Sequence, residues 1–138
     1  GYGTGSALLA IEPDGDSLRA RQVWRTPRFK SRFNSPVLRE GHAYGLDEGV
    51  LTCLEVATGE RVWRGGRYGY GQLLLAGDHL VILTEDGEIA LARATPEGFD
   101  ERARIPAIPG MTMNVPALAH GLLLVRNDVE MACFDLRP

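Results

Sequence analysis

The sequence predicts an all-β protein assembled from repeated four-stranded antiparallel units, and three observations carry that prediction. Glycine is abundant at 17 residues and proline adds 8, a combination that punctuates a chain into short strands. No stretch sustains the apolar spacing of three and four residues that an amphipathic helix requires. The ending Val23-Trp24-Arg25 returns as Val62-Trp63-Arg64, 39 residues later, a period that belongs to repeat architectures.

The elements follow in order. Residues 7–12 form an apolar strand closed by the turn Pro13-Asp14-Gly15-Asp16, and residues 18–25 alternate as a strand with one face toward solvent. A second cycle opens at Ser35-Pro36-Val37-Leu38, where Pro36 can only begin a strand because it lacks an N–H donor. Glu40-Gly41 turns the chain, His42–Leu46 runs back, and Asp47-Glu48-Gly49 turns it again. The stretch 49–64 then supplies two strands joined at Thr58-Gly59, with Leu51, Cys53 and Val56 suited to the buried side. A third cycle contains strands at 73–76, 79–84, 88–94 and 101–105, and a fourth at 115–118, 121–125 and 130–136.

Aligning the hairpins puts Ala10, Cys53, Leu91 and Cys133 on one repeat position, at spacings of 43, 38 and 42 residues. Four strands with three turns in about 40 residues is the period of a β-propeller blade. Lettered A (innermost) to D (outermost), the strands read C-D, A-D, A-D and A-C, in pieces at about 1–26, 34–65, 71–106 and 114–138 of a single partial propeller. A ring of this kind needs four to eight blades, so the expectation is an incomplete propeller. It would be the C-terminal segment of a longer one, or a piece that exists in an assembly, prone to self-association through its open blade edges.

The stretch Cys53-x-Glu55-x-x-Thr58-Gly59-x-x-x-Trp63 resembles the repeat of the PQQ-like (quinoprotein-type) β-propellers, Ala-x-Asp-x-x-Thr-Gly-x-x-x-Trp. It matches at Thr58, Gly59 and Trp63, and partial copies stand at 10–24, 91–96 and 133–135. The resemblance implies that Trp24 and Trp63 are structural, docking on the neighbouring blade with the indole N–H hydrogen-bonded. It implies an extracytoplasmic, bacterial and commonly periplasmic setting. It also includes quinoprotein dehydrogenases, which hold their quinone against a ring made by two adjacent cysteines. No such pair occurs here, so no cofactor is expected of this segment. The alternative is a fragment of a PQQ-dependent dehydrogenase whose cofactor site lies elsewhere.

Composition narrows the function further. A net charge of −3 argues against broad affinity for nucleic acid or anionic membrane, and no apolar run is long enough to span a bilayer as a helix. The two cysteines sit in equivalent places of repeats two apart, too far for a disulfide, and read as two small buried thiols. His42, His79 and His120 occupy turns of separate blades, too dispersed for a shared metal ion. Glu12, Glu55 and Asp135 share a repeat position at the end of strand C, where a carboxylate suits backbone capping better than acid/base work. The Gly1-x-Gly3-x-Gly5 start lacks the preceding strand and following helix of a phosphate loop.

What remains is a surface. The three D-to-A connectors share one face of a propeller and carry Arg28, Phe29, Arg32 and Phe33, then Tyr68 and Tyr70, then Met111 and Met113. Aromatic, Arg and Met side chains are enriched at protein interfaces. The expected function is therefore a non-catalytic scaffold that binds a protein or peptide partner through this loop face.

Overall fold

The computed structural model describes residues 3–137. These residues form thirteen β-strands and no helix. A hairpin of β1 (Ser6–Asp14) and β2 (Ser17–Thr26) makes the first sheet. The second contains β3 (Val37–Arg39), β4 (His42–Asp47), β5 (Val50–Glu55) and β6 (Arg61–Arg67) in sequential order. The third repeats that order with β7 (Gln72–Ala76), β8 (His79–Leu83), β9 (Glu88–Arg93) and β10 (Glu101–Pro106). The fourth holds β11 (Ala117–Ala119), β12 (Leu122–Arg126) and β13 (Met131–Asp135). All pairings are antiparallel between neighbours in sequence. The fold is all-β, made of propeller-type sheets that do not close into a ring.

Turn chemistry sets these hairpins. Glu40-Gly41, Glu48-Gly49 and His120-Gly121 each hold two successive residues at positive φ, the backbone of a two-residue turn whose twist matches that of its strands. Non-glycine residues rarely adopt this conformation, and each here is followed by a glycine that adopts it freely. The fit comes from the register, which pairs Arg39 with His42, Asp47 with Val50 and Ala119 with Leu122.

The core lies between sheets rather than on one side of each. One apolar cluster joins the first and second sheets through Trp24, Phe29, Ala43 and Leu54. A second joins Tyr44, Leu46, Leu51 and Cys53 to Leu73, Leu80, Ile82, Ala90 and Ala92 of the third. The third joins Val81, Leu83 and Ile89 to Leu123 and Val125 of the fourth. This corrects the expected alternation over 49–56. Every residue from Val50 to Leu54 is buried, because a sheet between two others covers both faces of its middle strands. The expectation for 18–25 also changes: β2 is exposed along most of its length, with only Trp24 and Thr26 partly covered.

Cysteine burial differs between the repeats. Cys53 is fully buried, whereas Cys133 is exposed. The two hold the same register position, opposite Tyr44 and Leu124 respectively. Among the described residues a following sheet covers Cys53 and none covers Cys133. Both thiols are free.

The two tryptophans link the first sheet to the second and the second to the third. Trp24 Nε1–H donates to the Val56 carbonyl at 2.8 Å, and Trp63 Nε1–H donates to the Thr95 carbonyl at 2.8 Å. Gly59 sits at φ 76° with the Trp24 ring across it, so close that a Cβ there would lie 2.7 Å from Cδ2. Thr58 Oγ1 donates to Glu55 Oε2 at 2.6 Å and accepts from the Glu60 N–H at 3.2 Å, closing the same turn. Trp63 packs between Tyr44 and Phe99, with ring centroids 6.0 and 6.2 Å away.

Candidate binding face

Antiparallel order places the D-to-A connectors and the B-to-C turns at one end of the sheets. Backbone hydrogen bonds knit them together there. Tyr68 N–H donates to Gly49 O at 2.8 Å, Glu85 N–H to Tyr68 O at 3.0 Å, and Thr112 N–H to Glu85 O at 2.9 Å. Thr112 Oγ1 also donates to the Thr84 carbonyl. The face is thus a set of anchored loops rather than free ones.

The first connector is fixed by polar residues that composition alone did not single out. Asn34 exchanges two hydrogen bonds with the Leu46 backbone, at 3.2 and 3.0 Å. Asp47 Oδ1 accepts from the Lys30 N–H at 2.7 Å, and Gln72 Nε2 donates to the Phe33 carbonyl at 2.7 Å. Their signal in the sequence was only that an amide or carboxylate stood beside a loop. The pairing partner, 12 to 39 residues away, was invisible.

Two of the expected surface aromatics are not on the surface. Phe29 is 3% exposed and packs on Ala43 and Leu54. Its φ of 61° folds the connector back so that the ring lies over Gly45, where a Cβ would come within 2.9 Å of it. Tyr68 is 2% exposed and belongs to the core between the second and third sheets. Its hydroxyl donates to Glu101 Oε2 at 2.5 Å, and the Arg104 guanidinium lies over its ring at 4.8 Å. Arg104 also reaches Glu88 at 3.0 Å and Glu101 at 2.8 Å. Burial first, then the Glu101 contact, pushes the Tyr68 phenol well above its ordinary range. Hydrogen bonding from Arg104 holds the Glu101 carboxyl below its ordinary value. The ion pairs lie within the third sheet, and the Tyr68 hydroxyl clasps the connector from the second sheet onto them, with the phenol neutral and the carboxyl charged.

Three of the remaining candidates, Arg32, Phe33 and Tyr70, come together across the first two connectors, with Tyr70 half-buried. Arg32 Nη1–H donates to the Tyr70 hydroxyl at 2.9 Å, with its guanidinium 5.5 Å from the ring centroid. Phe33 meets the same ring edge-on at 5.5 Å and is 46% exposed. Glu48 draws in both Lys30 and Arg32, at 3.7 and 3.6 Å. Farther along, Met111 is 63% exposed, and Met113 lies near it beside Asn114 and Asp128. Arg28 is exposed on the first connector. Beside the Arg32–Phe33–Tyr70 group opens a cleft of about 380 Å3 lined by Glu48, Arg67, Tyr70, Asp86 and Arg104. Its wall carries both signs of charge.

Charge elsewhere is locally matched. Glu12 pairs with Arg19 and Arg21 at 3.4 and 2.8 Å, which removes much of the leading basic stretch. Glu55 bonds the Thr58 hydroxyl, and Asp135 accepts from the Arg137 N–H at 3.1 Å and pairs with its guanidinium at 2.6 Å. His79 contacts Asp78 at 2.7 Å, and His42 contacts the Glu40 carbonyl at 2.9 Å. Among the described residues no three His, Cys, Asp or Glu side chains come together as a metal-binding group.

These features define an open arc of β-propeller sheets whose loop end presents a mixed aromatic, basic and methionine surface. The chain is similar to the solved structure of BamB from Moraxella catarrhalis, at a TM-score of 0.57 and 16% identity. That similarity covers 95% of this chain and 48% of BamB, so the chain spans about half the length of the structure it matches. At this identity the likeness establishes the fold. No family model matches the sequence, and no curated protein matches it.

Proposed function

We propose that this chain is a non-catalytic propeller-type scaffold that binds a protein or peptide through its loop face. The observation that carries this reading is the group formed by Arg32, Phe33 and Tyr70. It joins two successive connectors, remains partly exposed, and borders the 380 Å3 cleft. A rigid aromatic and arginine anchor beside a cleft is the usual composition of a binding hot spot. The exposed Met111 and Met113 extend the same face with side chains that adapt to varied partners. The likeness to BamB supports a scaffold of this shape.

The test is selection of peptides displayed on phage against the purified chain. Selected peptides are then measured against three face variants, Arg32→Ala, Phe33→Ala and Tyr70→Ala, and against Glu60→Ala at the opposite end of the sheets. Loss of affinity by about tenfold or more in the face variants, with Glu60→Ala unchanged, is expected for hot-spot residues. Peptides that bind all four variants as they bind the parent chain would refute the assignment.

A further inference from the structure

Three hairpins carry an outer strand, and all three are built on one plan. In each, the ladder skips one residue of the outer strand, Val23 on β2, Val62 on β6 and Arg102 on β10. It resumes at the next residue, which is Trp24 opposite Leu8, Trp63 opposite Cys53 and Ala103 opposite Leu91. Ala103 therefore holds, on a sheet with all four of its strands, the place that an indole holds on the two sheets before it.

The walls that receive those indoles also recur. Register aligns the pairs Ala43–Leu54, Leu80–Ala92 and Leu123–Phe134 on the second, third and fourth sheets. Trp24 packs with the first pair and Trp63 with the second. Each indole N–H ends on a carbonyl just past β5 or β9, that of Val56 or Thr95. Leu136 takes the place of Val56 past β13: its N–H donates to Gly121 O at 2.7 Å, as the Val56 N–H donates to Gly41 O at 2.9 Å. Against the third pair the outer strand offers only the Ala103 methyl. A crevice of about 220 Å3 opens there, lined wholly by apolar residues, among them Leu91, Ala103, Ile105, Leu123, Phe134 and Leu136. Phe134, bulkier than Leu54 or Ala92, takes up part of the indole's room without closing it. An apolar cavity of about 150 Å3 is already large enough to bind benzene.

We propose that this crevice between the third and fourth sheets is a docking site for a tryptophan side chain of a partner polypeptide. The two other junctions identify the occupant, because against the same walls each takes an indole and bonds its N–H to a backbone carbonyl. The Leu136 carbonyl, in the place of the Val56 acceptor, receives the N–H of the incoming ring. The ring also covers Ile105 and Leu136, which are 48% and 54% exposed. Tryptophan suits such an anchor because it joins a large apolar area to a single donor. The crevice shares no residue with the cleft on the loop face, so it is a second site and does not rest on peptide binding there.

The experiment titrates the whole chain, labelled at its isoleucine, leucine and valine methyl groups, with N-acetyltryptophanamide and follows the methyl resonances by NMR. A saturable shift at Leu91, Ile105 and Leu123 is expected, and none with N-acetylalaninamide. The analogue methylated at the indole nitrogen should bind about fivefold more weakly, the worth of one net hydrogen bond. Ala103→Trp supplies the ring from within the chain; it should raise the denaturation midpoint and weaken the titration by about tenfold or more. Ala103→Leu, which fills the crevice with less bulk, repeats the affinity measurement where a tryptophan is not accommodated. A parent chain with no saturable shift at these methyls overturns the proposal. So do folded Ala103 variants that bind the amide as the parent does. Free indole binding more tightly than N-acetyltryptophanamide assigns the crevice to a small aromatic molecule and overturns the polypeptide occupant.

Discussion

Substituting Gly59 by alanine tests the central claim about the repeat, that its turn glycine exists for the tryptophan of the preceding sheet. Two separable effects follow from the structure. The backbone at φ 76° is left-handed, and a side chain there costs about 1–2 kcal/mol. The added Cβ would lie 2.7 Å from Trp24 Cδ2 and Cε3, so the indole must move off the turn. Movement breaks the 2.8 Å bond from Nε1–H to the Val56 carbonyl, a loss of about 1 kcal/mol. It also uncovers part of the packing with Phe29 and Leu54. The expected destabilisation is about 2–4 kcal/mol by these combined effects. In a Trp24→Ala background only the backbone strain remains, about 1–2 kcal/mol. Urea denaturation followed by far-ultraviolet circular dichroism, at one protein concentration for all four members of the cycle, measures the coupling. An equal loss from Gly59→Ala with and without Trp24 would refute the reasoning.

Three further outcomes follow from the same geometry. Trp63→Phe removes the indole donor to Thr95 while keeping a ring between Tyr44 and Phe99; it should lower stability by about 1–2 kcal/mol, and an unchanged denaturation midpoint would count against a bonded indole. The Glu101 carboxyl is held below its ordinary value chiefly by its hydrogen bonds from Arg104. Its contribution is therefore present above the unfolded carboxyl range and lost as pH falls through the depressed folded value. Denaturation midpoints taken from pH 7 down to pH 3 should fall less steeply for Glu101→Gln than for the parent chain, and parallel curves would contradict the clasp. Burial pushes the Cys53 thiol up to about 11, whereas Cys133 is exposed. One thiol should therefore react with an aromatic disulfide reagent in dilute native protein and the second only on unfolding; two fast thiols would show that the second sheet is not packed on the third.

The repeat was legible because its signals are local. The turn pairs Glu40-Gly41, Glu48-Gly49 and Thr58-Gly59 and the spacing of Val-Trp-Arg depend on neighbours a few residues away, and the strands formed where those signals put them. The candidate face was legible only in part. Arg32 and Phe33 meet a half-buried Tyr70, and Met111 and Met113 are exposed near each other, but Phe29 and Tyr68 turned inward. Their burial depends on a positive φ at Phe29 and on partners such as Glu101, 33 residues from Tyr68, which no local pattern encodes.

By itself, then, the sequence determined that this chain builds antiparallel units of up to four strands, where each turns, and that two of the outer strands carry a tryptophan. Only the tertiary structure decided which faces are buried. A strand of alternating pattern is half-buried when it lies on one core, but β5 lies between two sheets and is buried on both faces. Its counterpart β13 carries a similar pattern and is half open, because no sheet among the described residues packs on its outer face. Burial here is a property of stacking order, and stacking order is set by contacts between residues some 40 positions apart.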